Sequence, residues 1–155
     1  MNRFFTTVEE SKHLLELGLS AETADMLFVE EYNEDSDGKL FPIPVVKGWK
    51  SDPMMPEPIT LPCWSLQALL EALPQGIQVW VEREHCRKTY DLGLFRSYYH
   101  CCFYTFGPSL SEENHDQLLG YGGDTWIEAV YNVALKLAEK GWLTCKRVNG
   151  KFVIV

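Results

Sequence analysis

"IQVWVEREHCRKTYDLGLFRSYYHCCFYTF", residues 77 to 106, decides the fold. Val, Trp, Tyr, Phe and Thr dominate it, the side chains that suit a pleated and half-buried surface. It therefore reads as two or three antiparallel strands. Two registers fit. A turn at Asp91–Gly93 brings His85 near His100, with Cys102 on the face of His100. Turns near Arg87 and Ser97 break that grouping. The first register offers a Cys–His–His set, three ligands that could hold zinc with an open position. The second leaves buried structural cysteines and half-exposed histidines, and no CxxC knuckle favours the metal reading. The aromatic residues Trp80, Tyr90, Tyr98, Tyr99, Tyr104 and Phe106 either floor a ligand pocket or form plain core.

Helices flank this block. In "WSLQALLEALP", residues 64 to 74, Leu66, Leu69, Leu70 and Leu73 keep the i, i+3, i+4, i+7 rhythm, and Pro74 ends it. Thr125 and Glu128 form a capping box for the strongest helix, whose apolar stripe is Trp126, Val130, Val133, Ala134 and Leu137. Gly141 closes it, with Trp142 folding back over Leu137. Asn149–Gly150 then signals a hairpin in the tail. The expected assembly is an α+β domain: an antiparallel sheet with helices packed on one face.

Ahead of this body, at residues 63–155, come two other segments. Residues 1–37 read as an acidic helix pair. Thr6–Glu9 and Thr7–Glu10 both fit a capping box, and Gly18 ends the first helix with Leu19 returning to Leu14. Ser20 caps a short second helix through Ala21, Ala24 and Leu27 or Phe28. Residues 38–62 carry six of the eight prolines, which exclude helix and central strand and leave an extended loop with an edge strand.

Residues 1–37 hold ten acids and two bases, so the chain's whole net charge of −8 lies there. That layout disfavours nucleic-acid binding, which needs a basic face, and leaves room for a protein partner with a basic surface. The plain alternative is a solvated acidic surface. At 155 residues the chain is long enough to bury a core without metal or disulfide support. No apolar run approaches the ~20 residues of a membrane span. The first residues lack a secretory pattern, so the five cysteines are expected as reduced thiols in a cytoplasm.

Two motifs fail on inspection. "YNEDSDGKLF", residues 32 to 41, looks like the front of a calcium loop, but position twelve, which needs a bidentate Glu, is Pro44. Asp-Gly makes a turn without any ion. "LLELGLSAETADML" resembles a DNA-binding helix-turn-helix. Its recognition helix, Ala21 to Tyr32, would press Glu22, Asp25, Glu30 and Glu31 toward phosphates with no Lys or Arg. Catalytic patterns are missing altogether: no G-x-S-x-G, no phosphate-cradling glycine loop, no H-E-x-x-H. His115–Asp116 has no evident nucleophile beside it.

"LGLSAETADM" followed, after the proline-rich gap, by "LPCWSLQALLEALP" resembles small uncharacterised proteins of prophages and mobile elements in gut Bacteroidales. The likeness spans about residues 15–141, which leaves the Asn149–Gly150 hairpin as an addition. It implies a bacterial cytoplasm and an accessory role, and no activity.

The sequence thus leads to a non-enzymatic interaction module without cofactor. Its candidate contact residues are Trp49, Met54, Met55, Glu22, Asp25, Glu30 and Glu31. The rivals are a small metal protein or enzyme using His85, His100 and Cys102, and an acidic inhibitor that mimics DNA.

Overall fold

A computed structural model describes residues 3–32, 40–46, 60–96, 102–107 and 118–155, and for 30–32, 40–43, 102–104 and 106 the backbone alone. The fold is α+β, with helices α1 (Val8–Glu16), α2 (Leu66–Ala72) and α3 (Trp126–Glu139). The strands are β1 (Met26–Tyr32), β2 (Leu40–Val46), β3 (Thr60–Cys63), β4 (Gly76–Val81), β5 (Cys86–Phe95), β6 (Cys102–Phe106), β7 (Leu119–Gly123), β8 (Arg147–Val148) and β9 (Phe152–Ile154). They make a three-stranded sheet, β2-β1-β3, and a six-stranded sheet, β7-β6-β5-β4-β9-β8.

The helix ends follow the sequence closely. Thr7 and Glu10 form the reciprocal capping box of α1. The Gly18 and Leu19 amides donate to the Leu15 and Leu14 carbonyls, with Gly18 at φ +96°, the left-handed position that favours glycine. Ser65 caps α2 and Thr125 caps α3. At the far end of α3 the Trp142 amide donates to the Leu137 carbonyl at 2.8 Å.

The second N-terminal helix is not there. Ser20 does accept from the Glu22 amide, but only a single 3-10 turn follows, Ala21–Thr23. The chain then enters β1, the central strand of the small sheet. Met-Leu-Phe-Val is as much at home in a strand as in a helix, and backbone partners on both sides decide the choice. The helix-turn-helix likeness goes with it, since residues 26–32 are strand.

Both partners of β1 carry proline. Pro42 and Pro44 sit on β2 opposite Glu30 and Phe28, and Pro62 sits on β3 opposite Leu27. Proline cannot donate to a ladder, so these strands occupy the two edges. The proline-rich stretch is therefore two edge strands as well as connection. Tyr32 pairs with Leu40, so residues 33–39, the first seven positions of the suspected calcium loop, join two antiparallel strands and lie outside the described residues, while its last five, to Pro44, belong to β2.

In the large sheet, β4 and β5 turn at Glu82–His85, and β5 pairs onward with β6. Asp91–Gly93 thus lies within β5, which excludes the register with a turn there. The tail also departs from expectation: β9 pairs with β8 as a hairpin and, in parallel, with β4. All other pairs are antiparallel. Asn149 and Gly150 take φ of 54° and 71° at the hairpin tip.

One face of this sheet is the core face. Ile77, Tyr90, Leu119 and Val153 share it by register and pack in one cluster with Leu69 of α2, Leu73 just after it, and Ile127, Val130, Val133, Ala134 and Leu137 of α3. Ile127 and Ala129 join the buried set of α3, while Trp126 at the head of the expected stripe is only half-buried. Leu14 of α1 and Trp64 belong to the same cluster.

Candidate partner-binding surface

Successive strand residues point to opposite faces, so Gln78 and Trp80 oppose Ile77 and Val79. The cross-strand partner of Trp80 is Arg87, and those of Gly76 and Gln78 on β9 are Phe152 and Ile154. Phe152 in turn pairs with Val148. The outer face of β5-β4-β9-β8 thus gathers Trp80, Phe152, Ile154 and Val148, edged by Arg87, Thr89 and Asp91. Trp80 is 47% exposed and Val148 37%. Phe152 and Ile154 are half-buried.

The Phe152 ring lies directly over Gly76, where an added Cβ would meet it at 2.5 Å. Any side chain at position 76 would have to displace the ring. No described helix packs on this face: α2 and α3 both belong to the cluster on the other side. An indole left half in water loses the stabilisation that burial gives, about 25 cal/mol per Å² of apolar surface. Such a patch marks an interaction site more often than an isolated exposed Leu does.

The sequence-derived residues are distributed otherwise. Trp49, Met54, Met55 and His100 lie outside the described residues, as do Tyr98, Tyr99 and His115–Asp116. Glu22 is in the 3-10 turn, Asp25 in the loop before β1, and Glu30 and Glu31 at successive positions of β1. They share no helix face. Asp25, though exposed, is engaged within the chain: its Oδ1 accepts from the Ser65 amide at 2.9 Å and its Oδ2 from the Ser65 hydroxyl at 2.5 Å. Ser65 is the cap of α2, so Asp25 fixes a helix start to the small sheet.

His85, at φ 47°, closes the β4–β5 turn at one end of β5. Cys102 lies beyond the other end, where Phe95 pairs with Phe103. Nine strand steps separate the ends, roughly 30 Å, so no single ion bridges His85 and Cys102. Among the described residues no group of three His, Cys, Asp or Glu converges on a metal-sized space. Trp80 and Tyr90 fall on opposite faces of the sheet and floor no common pocket.

Polar groups do converge at one buried junction, and it is structural. The indole N–H of Trp64, itself fully buried, donates to Thr23 Oγ1 at 2.8 Å. The Thr6 hydroxyl lies 2.8 Å from that of Ser11 and accepts from the Trp64 amide. The Cys63 thiol points at the Thr6 carbonyl at 3.6 Å. Burial pushes that thiol from 9.0 up to about 11, against a smaller opposing effect of the Thr6 hydroxyl. A thiol so protonated is a poor nucleophile. Nearby, Arg3 clasps Glu10 and reaches Glu128 at 4.0 Å, while His13 Nδ1 lies 2.8 Å from the Tyr131 hydroxyl. These contacts bind α1 to α3. Burial, then the negative charge of Glu10, raises the Tyr131 phenol above its usual range, which opposes a role as an ionised base.

The surface residues Phe152, Ile154 and Val148 were not singled out in the sequence. The signal was there in β4: a tryptophan at the parity of Gln78 rather than of Ile77. Seeing its neighbours required the parallel pairing of β9, which no local pattern announces. No protein family, curated protein or solved structure matches the chain. Among the described residues no helix is long and apolar enough to cross a membrane.

Proposed function

We propose that this protein is an interaction module without chemistry of its own, and that it meets a protein partner through the outer face of β5-β4-β9-β8. The observation that carries this reading is the half-exposed Trp80 on the same sheet face as Ile154, Phe152 and Val148, opposite the face on which α2 and α3 pack. Tryptophan in such a setting is the residue most often found at the energetic centre of an interface. The absence of catalytic spacing in the sequence agrees with it. The ten acids of residues 1–37 support a partner with a basic surface, because they would steer its approach without touching the apolar patch. Nucleic acid is a poor candidate on the same charge argument. The resemblance to mobile-element proteins supports an accessory role in a bacterial cytoplasm.

The test is affinity purification of the full chain from its own cells, beside Trp80→Ser and Glu22→Lys. One protein in stoichiometric amount, lost with Trp80→Ser at unchanged melting temperature, is the expected result. Glu22→Lys should slow association while keeping the complex. An identical retained set for wild type and Trp80→Ser contradicts the proposal.

A further inference from the structure

The Trp80 face is polarised from end to end. Arg87 is the cross-strand partner of Trp80, and Asp91 that of Gly76, over which the Phe152 ring lies. One end therefore carries an indole beside a cation, and the other a phenyl ring beside an anion. Arg87 and Asp91 are both exposed, and among the described residues neither has an ionic partner. Four strand steps put them about 13 Å apart, too far to pair with each other.

Between the two ends lies a middle row. Thr89 and Gln78 are cross-strand partners, and Gln78 pairs in turn with Ile154. A two-fold axis in the plane of contact, running across the strands at this row, turns the face onto itself with its ends exchanged. Arg87 of one copy then stands opposite Asp91 of the other, twice. Trp80 of each stands opposite Gly76, where the missing side chain leaves only the Phe152 ring to meet the indole. Ile154 meets its own counterpart, and so do Gln78 and Thr89, whose amide and hydroxyl both donate and accept. Lys146, next outward from Ile154, meets its counterpart at the rim, where the long stem lets the ammonium turn to water. Two sheets packed in this way lie about 10 Å apart, a space that their side chains fill.

We infer that a second copy of this chain covers the face, in an isologous dimer that sets Trp80 against Phe152 and Arg87 against Asp91 across the axis. The inference rests on the reading of this face as an interface and names its occupant. Two features select a second copy. Only a surface with its aromatic and charged groups in the reverse order complements this one along its length, and the face turned about the axis is such a surface. The chain also carries a basic surface of its own: residues 136–151 hold five bases and one acid, against the ten acids of residues 1–37. The contact is small. Four strands by five residues cover roughly 19 Å by 17 Å. The pair thus belongs with weak interfaces, those burying less than about 1,200 Å², and should dissociate on dilution.

Sedimentation of the untagged full chain from micromolar to millimolar concentration is the experiment. A reversible rise to twice the chain mass is the expected result. Trp80→Ser, Arg87→Asp and Asp91→Arg should each weaken the dimer at least tenfold at unchanged melting temperature. The two charge reversals do so because each sets like charges face to face, twice. Arg87→Asp combined with Asp91→Arg restores opposite charges and should return the affinity to within about threefold of wild type. A chain monomeric throughout, growth beyond the dimer, a dimer indifferent to Trp80→Ser, or a double variant no tighter than the single ones would each overturn the inference. The wider reading of the face fails separately, when affinity purification retains the same set with and without Trp80.

Discussion

The two faces of the six-stranded sheet use the same strands for opposite purposes. On β4, Ile77 is fully buried against α2 and α3, while Trp80, three residues on and across the sheet, is 47% exposed. On β9, Val153 is fully buried and its neighbours Phe152 and Ile154 are not. A period of two separates residues that hold the fold from residues the fold does not need. Hydrophobicity alone makes no such distinction: Trp80 is as apolar as anything in the core.

The widest gap between the faces should appear in stability. Ile77→Ala removes a branched side chain from a packed interior and should cost about 2–5 kcal/mol in urea unfolding. Trp80→Ala should change stability by no more than about 0.5 kcal/mol, the usual range for a surface site. Equal losses would mean that Trp80 is structural and would remove the basis for a partner there.

A second contrast lies in the thiols. Cys63 is buried and its ionisation is pushed up to about 11, whereas Cys86 is exposed at the start of β5. In variants whose only cysteine is one of the two, a thiol reagent should label Cys86 at once and Cys63 only as fast as the protein opens. The same shift links stability to pH. Between 9.0 and about 11 the unfolded chain gives up the Cys63 proton before the folded one does. The folded state then holds more protons, so stability present below pH 9 falls as the pH rises through that window. Tyr131 acts in the same direction, so Cys63→Ala should flatten the alkaline decline only in part. Urea unfolding at intervals from pH 8 to pH 11 measures it. An unchanged slope would contradict the assignment.

The smallest expected effect concerns the Asp25–Ser65 clasp. Asp25→Ala should cost about 1 kcal/mol, the scale of a helix cap, and Ser65→Ala the same or slightly more because it also removes the bond to the Ala68 amide. The double variant should lose less than the sum. Additive losses would show that the two side chains act independently and would contradict the clasp.

What the sequence made legible were features with a short-range physical cause. Thr7, Ser65 and Thr125 are caps, Gly18 and Gly141 are helix stops, and the α2 and α3 stripes repeat within a few turns. The prolines of β2 and β3 reported edge positions for the same reason, since a missing N–H is a local fact. What stayed hidden depended on distant partners. Residues 26–32 carry both helical and strand signals, and strands at 40–46 and 60–63 settle the matter. The parallel pairing of β4 with β9 joins residues about 75 positions apart, beyond any pattern along the chain. The candidate surface was hidden with it: Trp80 was visible as an aromatic strand residue, but Phe152 and Val148 join its face only once β9 lies beside β4.

The most direct test is photo-crosslinking inside the cell of origin, with p-benzoyl-phenylalanine placed at position 80 on the outer face or at position 71, an exposed site on α2. The account predicts one discrete crosslinked partner from position 80 and none from position 71, with both variants melting like the wild type. No adduct at position 80, or the same adducts from both positions, would contradict it.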